Sequence, residues 1–224
     1  MTLKTLPPQA RPREKLLQHG SQSLADTELL ALLLRTGFKG TSVLQLANNL
    51  LENLGGLSGL LNANPNDLKK IKGLGTAKRA EIAAVMELAR RSMHQQLKQQ
   101  SVFTSAVTVK EFLRLQLNVL DHEVFGVMFL NNRHQLLQWE VMFKGTLTQT
   151  SVYPREIVKR TLQLNAAALI LAHNHPSGSP EPSPSDQSLT KTIQSAMQLI
   201  DVRLLDHIIV AGNDVISFAE LGLL

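Results

Sequence analysis

The chain has 224 residues, 43% hydrophobic content, no cysteine and a formal net charge of +5. Without cysteine there is no disulfide framework, no cysteine nucleophile and no thiolate zinc cage, so any metal must be held by nitrogen and oxygen. The longest apolar runs, such as ALILA at 168–172, fall far short of spanning length, and no leader-like apolar stretch follows the first basic residues; a soluble, cytoplasmic protein without a membrane partner is expected.

The length suits two domains of roughly 100 residues each. Charge divides along the chain: residues 1–100 carry fourteen Lys/Arg against seven Asp/Glu, whereas residues 101–224 carry nine against eleven. A polyanion would therefore meet the first half, although mildly basic character alone speaks to association rather than to fold.

In chain order, residues 13–97 read as helical. LADTELLALLLRTG (24–37), TSVLQLANNLLENLGG (41–56) and GTAKRAEIAAVMELARRS (75–92) place apolar residues three and four apart and begin or end at Gly, Ser, Thr or Asp. The Gln/Lys-rich stretch at 93–105 loses this stripe, which puts a linker at 98–105 between a helical domain of residues 1–97 and a second domain of residues 106–224. A short helix is expected at 106–120. The period then changes: EVFGVMFL (123–130), the turn NNRH and QLLQWEVMFKGTL (135–147) read as a hairpin, with Asn131 and Asn132 suited to the turn. PREIVKRTLQLN (154–165) returns to a helix, AALILAH (167–173) is a strand buried on both faces, SPSDQSLTKTIQSAMQLI (183–200) is a helix and DHIIVAG (206–212) a strand. The fold class is α+β: an all-α region, then an α/β unit with a mixed sheet.

The end of the 167–173 strand carries the chemistry. Residues i and i+2 of a strand share a face, so His173 and His175 can aim both imidazoles at one point, at a strand end where α/β sheets place their sites. Eight residues on, SPSD has the grammar of a helix start, with Ser183 as N-cap, Pro184 at the first helical position and Asp186 at the third. Asp186 could simply complete a capping box with Ser183. Together with the two histidines, however, it makes three nitrogen/oxygen ligands suited to zinc, and three protein ligands leave a fourth tetrahedral position for water. The string HNH is not the nuclease motif of that name, and one metal's worth of ligands disfavours a two-metal nuclease. Asp206 and His207 in DHIIVAG could support a ligand or could simply be satisfied core residues.

HNHPSGSPEPSPSD resembles the JAMM metalloprotease motif, with matches at His173, His175, Ser183 and Asp186. More widely, PREKL (12–16), ADTELLALLLRTG (25–37), KGLGTAKRAEI (72–82), ELARR (87–91) and the motif followed by DHIIVAG are similar to the RadC family over nearly the whole chain. That resemblance implies a helix-hairpin-helix-like N-terminal domain, with the hairpin at about 60–92, joined to a JAMM domain of cytidine-deaminase-like fold. It also implies one zinc ion per chain on His173, His175 and Asp186, Glu123 as general acid/base, Ser183 as donor to the oxyanion, and hydrolysis of a peptide or isopeptide bond in a protein substrate. Glu140 and Glu156 are the other glutamates that could serve.

IKGLGTAKRAEI (71–82) joins two helical stretches. Gly73 and Gly75 permit a tight turn, Leu74 can anchor it, and Lys72, Lys78 and Arg79 lie beside the N–H groups of the following helix, an arrangement suited to a DNA backbone phosphate without base readout. The same turn can equally join two packed helices, with its cations solvated. The one Trp and one Tyr both fall in the second half, so stacking on single-stranded bases by the helical domain is not expected.

Overall fold

The computed structural model of the chain describes residues 7–61, 63, 65–102, 106–118, 120, 122–145 and 152–224. Parts of the expected hairpin strand (146–147), linker (103–105) and helical hairpin (62 and 64) lie outside these residues. The chain separates into two compact units, Met1–Ala89 and Arg90–Leu224.

The first unit is helical: α1 (Pro12–His19), α2 (Asp26–Leu34), α3 (Val43–Leu54), α4 (Gly56–Leu61), α5 (Pro65–Lys70) and the first half of α6 (Thr76–Gln99). At α2 and α3 side chains bond N–H groups that open the helix, Glu28 Oε2 accepting from Ala25 N at 2.9 Å. At α3, Ser42 Oγ accepts from Gln45 N at 3.2 Å while Gln45 Oε1 accepts from Ser42 N at 3.0 Å, a reciprocal cap. Leu30 and Leu34 of α2 and Leu46 and Leu50 of α3 are buried and form the centre of the unit.

The linker expected at 98–105 is helical as far as Gln99, and the division between units falls earlier, after Ala89. The Gln/Lys stretch misleads because its apolar content is sparse but correctly spaced. Met93 and Leu97 stand four apart, and both join the core of the second unit.

That unit contains α7 (Ala106–Leu117), β1 (Val124–Leu130), β2 (Leu136–Lys144), α8 (Pro154–Gln163), β3 (Ala168–Asn174), α9 (Pro184–Gln198), β4 (Arg203–Ala211) and β5 (Asp214–Ser217). The strands form one mixed sheet in the order β2-β1-β3-β4-β5, in which only β3 and β4 run parallel. Alternation sorts the faces. Ala168, Ile170 and Ala172 of β3 pack with Phe112 and Leu113 of α7 on one side, whereas Leu169 and Leu171 pack with Ile157 of α8 and Ile193 and Met197 of α9 on the other. Burial on both faces explains why β3 reads as a continuous apolar run. On β1, Gly126 makes room for Trp139: a Cβ there would lie 2.2 Å from the indole.

Candidate metal centre

β3 ends in His173 and Asn174, and one residue later His175 N donates to Val210 O at 2.9 Å, so pairing with β4 continues through the second histidine. The shared strand face then has its expected consequence. His173 Nε2 and His175 Nε2 lie 2.9 Å apart. A turn in which Gly178 N donates to His175 O, with Gly178 at φ +80°, brings Ser179 O to 2.7 Å from His175 Nδ1. A carbonyl can only accept, so Nδ1 carries a proton and donates to it, and Nε2 is the nitrogen turned toward His173 and Asp186.

Asp186 arrives by helix capping. Ser183 N donates to Asp186 Oδ2 at 2.8 Å and Asp186 N donates to Ser183 Oγ at 3.1 Å. The Ser183 hydroxyl also donates to Asp186 Oδ2 at 2.6 Å, so in this structure it serves the carboxylate in both directions. With Oδ2 committed to the cap, Oδ1 faces His173 Nε2 at 3.3 Å. The capping box and the cluster are therefore one arrangement. Candidate ligand atoms of His173, His175 and Asp186 all lie within 4.8 Å of one another, and two imidazole nitrogens with one carboxylate oxygen suit a zinc-like ion. The group could hold a metal ion.

Electrostatics agree with a cation at this point. Burial pushes His173 down to about 4, partly opposed by Asp186, so the ring is neutral and available as a ligand. The hydrogen bond with Asp186 raises His175 against its burial, with a smaller contribution from the charge of Glu123. Burial alone would raise Asp186, but His175, His173 and the two bonds from Ser183 hold it below the usual carboxylate range.

Glu123 immediately precedes β1. The antiparallel register sets Phe125 opposite His173, so Glu123, two residues before Phe125, leads into β1 at the end of the sheet where His175 lies. Glu140 is held instead by Arg160, whose Nε donates to Oε1 and Oε2 at 3.0 and 2.9 Å. Glu156 lies in the first turn of α8, beside Arg155 at 3.4 Å.

Four further residues complete the surroundings. Asn174, between the two histidines in sequence, accepts from Val124 N at 2.8 Å and donates to His122 O at 3.0 Å, gripping the chain on both sides of Glu123. His207 on β4 places Nε2 2.8 Å from His173 Nδ1, and Thr190 on α9 places Oγ1 2.6 Å from His207 Nδ1. Asp206 holds the backbone around them, accepting from His207 N at 2.8 Å, from Ala219 N at 3.0 Å and from Ser217 Oγ at 2.6 Å. Of these, Asp206 and His207 read in sequence as ligand supports or core residues, and Thr190 has a weaker signal, following Asp186 by four residues on one helix face.

In the first unit, Leu74 is buried in the turn between α5 and α6, as an anchor should be. Gly73 has φ +88°, and a Cβ there would lie 2.2 Å from the Phe38 ring, so close packing as well as conformation requires glycine. Lys72 and Gly75 are exposed. Lys78 instead donates to Thr36 O and, at 3.4 Å, to Gly37 O, and Arg79 reaches Thr76 Oγ1 at 3.4 Å.

Comparison with known proteins supplies the family context. Residues 103–223 match the model of the RadC-like JAB domain, and residues 3–80 match that of the UPF0758 N-terminal domain. The chain is 62% identical over 222 residues to a UPF0758 protein of Leptothrix cholodnii and 60% identical over 222 residues to one of Methylibium petroleiphilum, each alignment covering 99% of this chain and 100% of the relative. A UPF0758 protein of a Polaromonas species is 55% identical over the full length of both chains.

Proposed function

The chain belongs to the UPF0758 family, with a RadC-like JAB domain as its second part, and on that premise we propose that it is a zinc-dependent hydrolase of a peptide or isopeptide bond in a protein substrate. The observation that carries this reading is the convergence of two imidazole nitrogens and one carboxylate oxygen at the mouth of α9, with the charge of Glu123 acting on one of the imidazoles. His173, His175 and Asp186 would hold the ion. Bound there, zinc would supply Lewis-acid activation of water near neutral pH.

The chain's own groups divide the remaining work. Glu123, as general base, takes the proton of the attacking water and returns it as general acid to the departing amine, a role worth typically about 10² to 10⁴ in rate. Glu140 is poorly suited, because its carboxylate is already held by Arg160. Ser183 stabilises the oxyanion by turning its hydroxyl from Asp186 Oδ2 toward the substrate; the Ser183 N–H bond to the same oxygen keeps the carboxylate placed meanwhile.

A proteome-derived peptide library incubated with the zinc-loaded chain, with new amino groups mapped by mass spectrometry, tests this reading. Cleavage by wild type and none by Glu123→Gln at equal zinc content is expected. Equal cleavage by the two proteins removes Glu123 from the chemistry, and metal loss in Glu123→Gln makes it a ligand instead.

A second reading keeps the metal centre structural and gives the first unit the main role, docking on DNA. The exposed Lys72 and the N–H groups at Gly73 and Gly75 favour it, with Lys78 and Arg79 holding the turn rather than the phosphate. Binding of duplex DNA that weakens steeply with salt, in a chain that cleaves no peptide, supports this second reading over the first.

A further inference from the structure

Behind His173, away from the proposed metal, four groups from three elements form one hydrogen-bonded chain, and it admits a single arrangement of protons. Thr190 Oγ1 lies 2.6 Å from Asp186 O; a carbonyl only accepts, so the hydroxyl proton points there. Toward His207 the same oxygen must then accept, which puts a proton on His207 Nδ1, 2.6 Å away. His207 is fully buried against the Phe125 and Phe218 rings, and each of its ring nitrogens meets one neutral partner, a setting that disfavours a second proton, so the ring carries one only. Its Nε2 is therefore a lone pair, and the 2.8 Å contact with His173 Nδ1 requires that nitrogen to donate. The His173 proton sits on Nδ1. Its Nε2 is left as a lone pair facing His175 Nε2 and Asp186 Oδ1.

From this connectivity we propose that His207 and Thr190 are positioning residues: they lock His173 in the Nδ1–H tautomer and hold its Nε2 open for a divalent metal. The proposal rests on the metal-centre reading above. Packing reinforces it, since Phe125 lies nearly parallel to the His173 ring at 12° and Phe218 packs 4.7 Å from the His207 ring. The chain of bonds also closes on itself, because it ends on the backbone of Asp186, the third ligand residue. One ligand's ring is thereby referenced to another ligand's main chain through β4 and α9. If Thr190 loses its hydroxyl, His207 is free to carry its proton on Nε2, present a donor to His173 Nδ1 and push the His173 proton onto Nε2, where it blocks the metal.

The test uses the full-length chain as wild type, Thr190→Ser, Thr190→Val, His207→Gln and His207→Leu. Zinc affinity is measured by chelator competition near neutral pH, and histidine tautomers by ¹⁵N NMR of the metal-free protein. Thr190→Val is expected to bind zinc about ten- to a hundredfold more weakly, the range for losing such support, while Thr190→Ser stays within about threefold of wild type. Metal-free wild type shows both His173 and His207 protonated at Nδ1. His207→Gln, whose amide oxygen can accept from His173 Nδ1, keeps more affinity than His207→Leu, a comparison that holds even if Thr190→Val folds poorly. Wild-type affinity in Thr190→Val, equal losses in the two His207 variants, or His207 protonated at Nε2 each overturn the proposal. A wild-type chain that shows both Nδ1–H tautomers yet takes up no zinc overturns the metal-centre reading instead, and the two failures are thereby distinguished.

Discussion

Replacing Asn174 by Leu should separate the placement of Glu123 from the holding of the metal. Asn174 is buried, and its amide grips the chain just before and at the start of β1 chiefly through two bonds, from Val124 N at 2.8 Å and to His122 O at 3.0 Å, with a longer contact to Leu120 O at 3.5 Å. Leucine matches its size and offers none of these. The Val124 N–H is then buried without a partner, which costs about 1–3 kcal/mol, and the partly buried His122 carbonyl adds a smaller amount, for a total of about 2–4 kcal/mol. Urea unfolding followed by tryptophan fluorescence reads this cleanly, because the chain's one tryptophan, Trp139, lies in the second unit. The midpoint should fall with the slope unchanged. Asn174→Asp keeps the acceptor for Val124 N but turns a carboxylate oxygen toward the His122 carbonyl, so it should lose stability as well. Zinc content should survive Asn174→Leu, whereas turnover dependent on Glu123 should drop. A change below about 0.5 kcal/mol, or zinc lost in parallel with stability, would refute the grip assigned to Asn174.

Two further outcomes follow from charge. In the metal-free protein, burial lowers His173 to about 4 and lowers His207 as well, so between pH 6.5 and 4 the unfolded chain binds protons that the native chain refuses. Stability should therefore fall as pH drops through that window, by on the order of 3 kcal/mol from His173 alone, and His207→Phe should flatten the dependence. His175 has the opposite sign, since its raised pKa gives stability that is present at low pH and lost as pH rises through the folded value. A metal-free urea midpoint that is constant from pH 6.5 to 4.5 contradicts the buried neutral histidines. In the first unit, Lys72→Gln should reduce the salt slope of duplex binding by about one while leaving stability alone, whereas Lys78→Gln should lower stability through the lost Thr36 and Gly37 contacts; the reverse pattern would return Lys78 to the phosphate contact.

Local rules carried most of the second unit. The apolar run of β3, the hairpin of β1 and β2 and the SPSD helix start are visible because two-residue alternation, turn chemistry and capping all act within a few residues. β5 escapes the same rules. It is four residues long and begins at Asp214, directly after a Gly-Asn turn, so it has too little alternation to read. The first residues of β4, from Arg203, are hidden by their exposed, charged start. At the site, His173, His175 and Asp186 were legible for the same local reason, a strand period followed by a helix cap. His207 was legible only as a residue that could support a ligand or sit satisfied in the core, because its contact with His173 exists only through the parallel pairing of β3 with β4, thirty-four residues apart. Asn174 was hidden differently. It stands between two histidines, yet its amide turns away from them to the start of β1, which only the folded register reveals. Lys78 likewise looked available for phosphate until the fold brought Thr36 and Gly37 to it across more than forty residues.

Metal content tests the central claim most directly. Elemental analysis of the full-length chain, purified without chelators, should find about one zinc per molecule in wild type and clearly less in His175→Ala, in which one of three converging donors is gone. Wild-type protein without bound metal, or His175→Ala with a full equivalent of zinc, would contradict the assignment of His173, His175 and Asp186 as the metal centre.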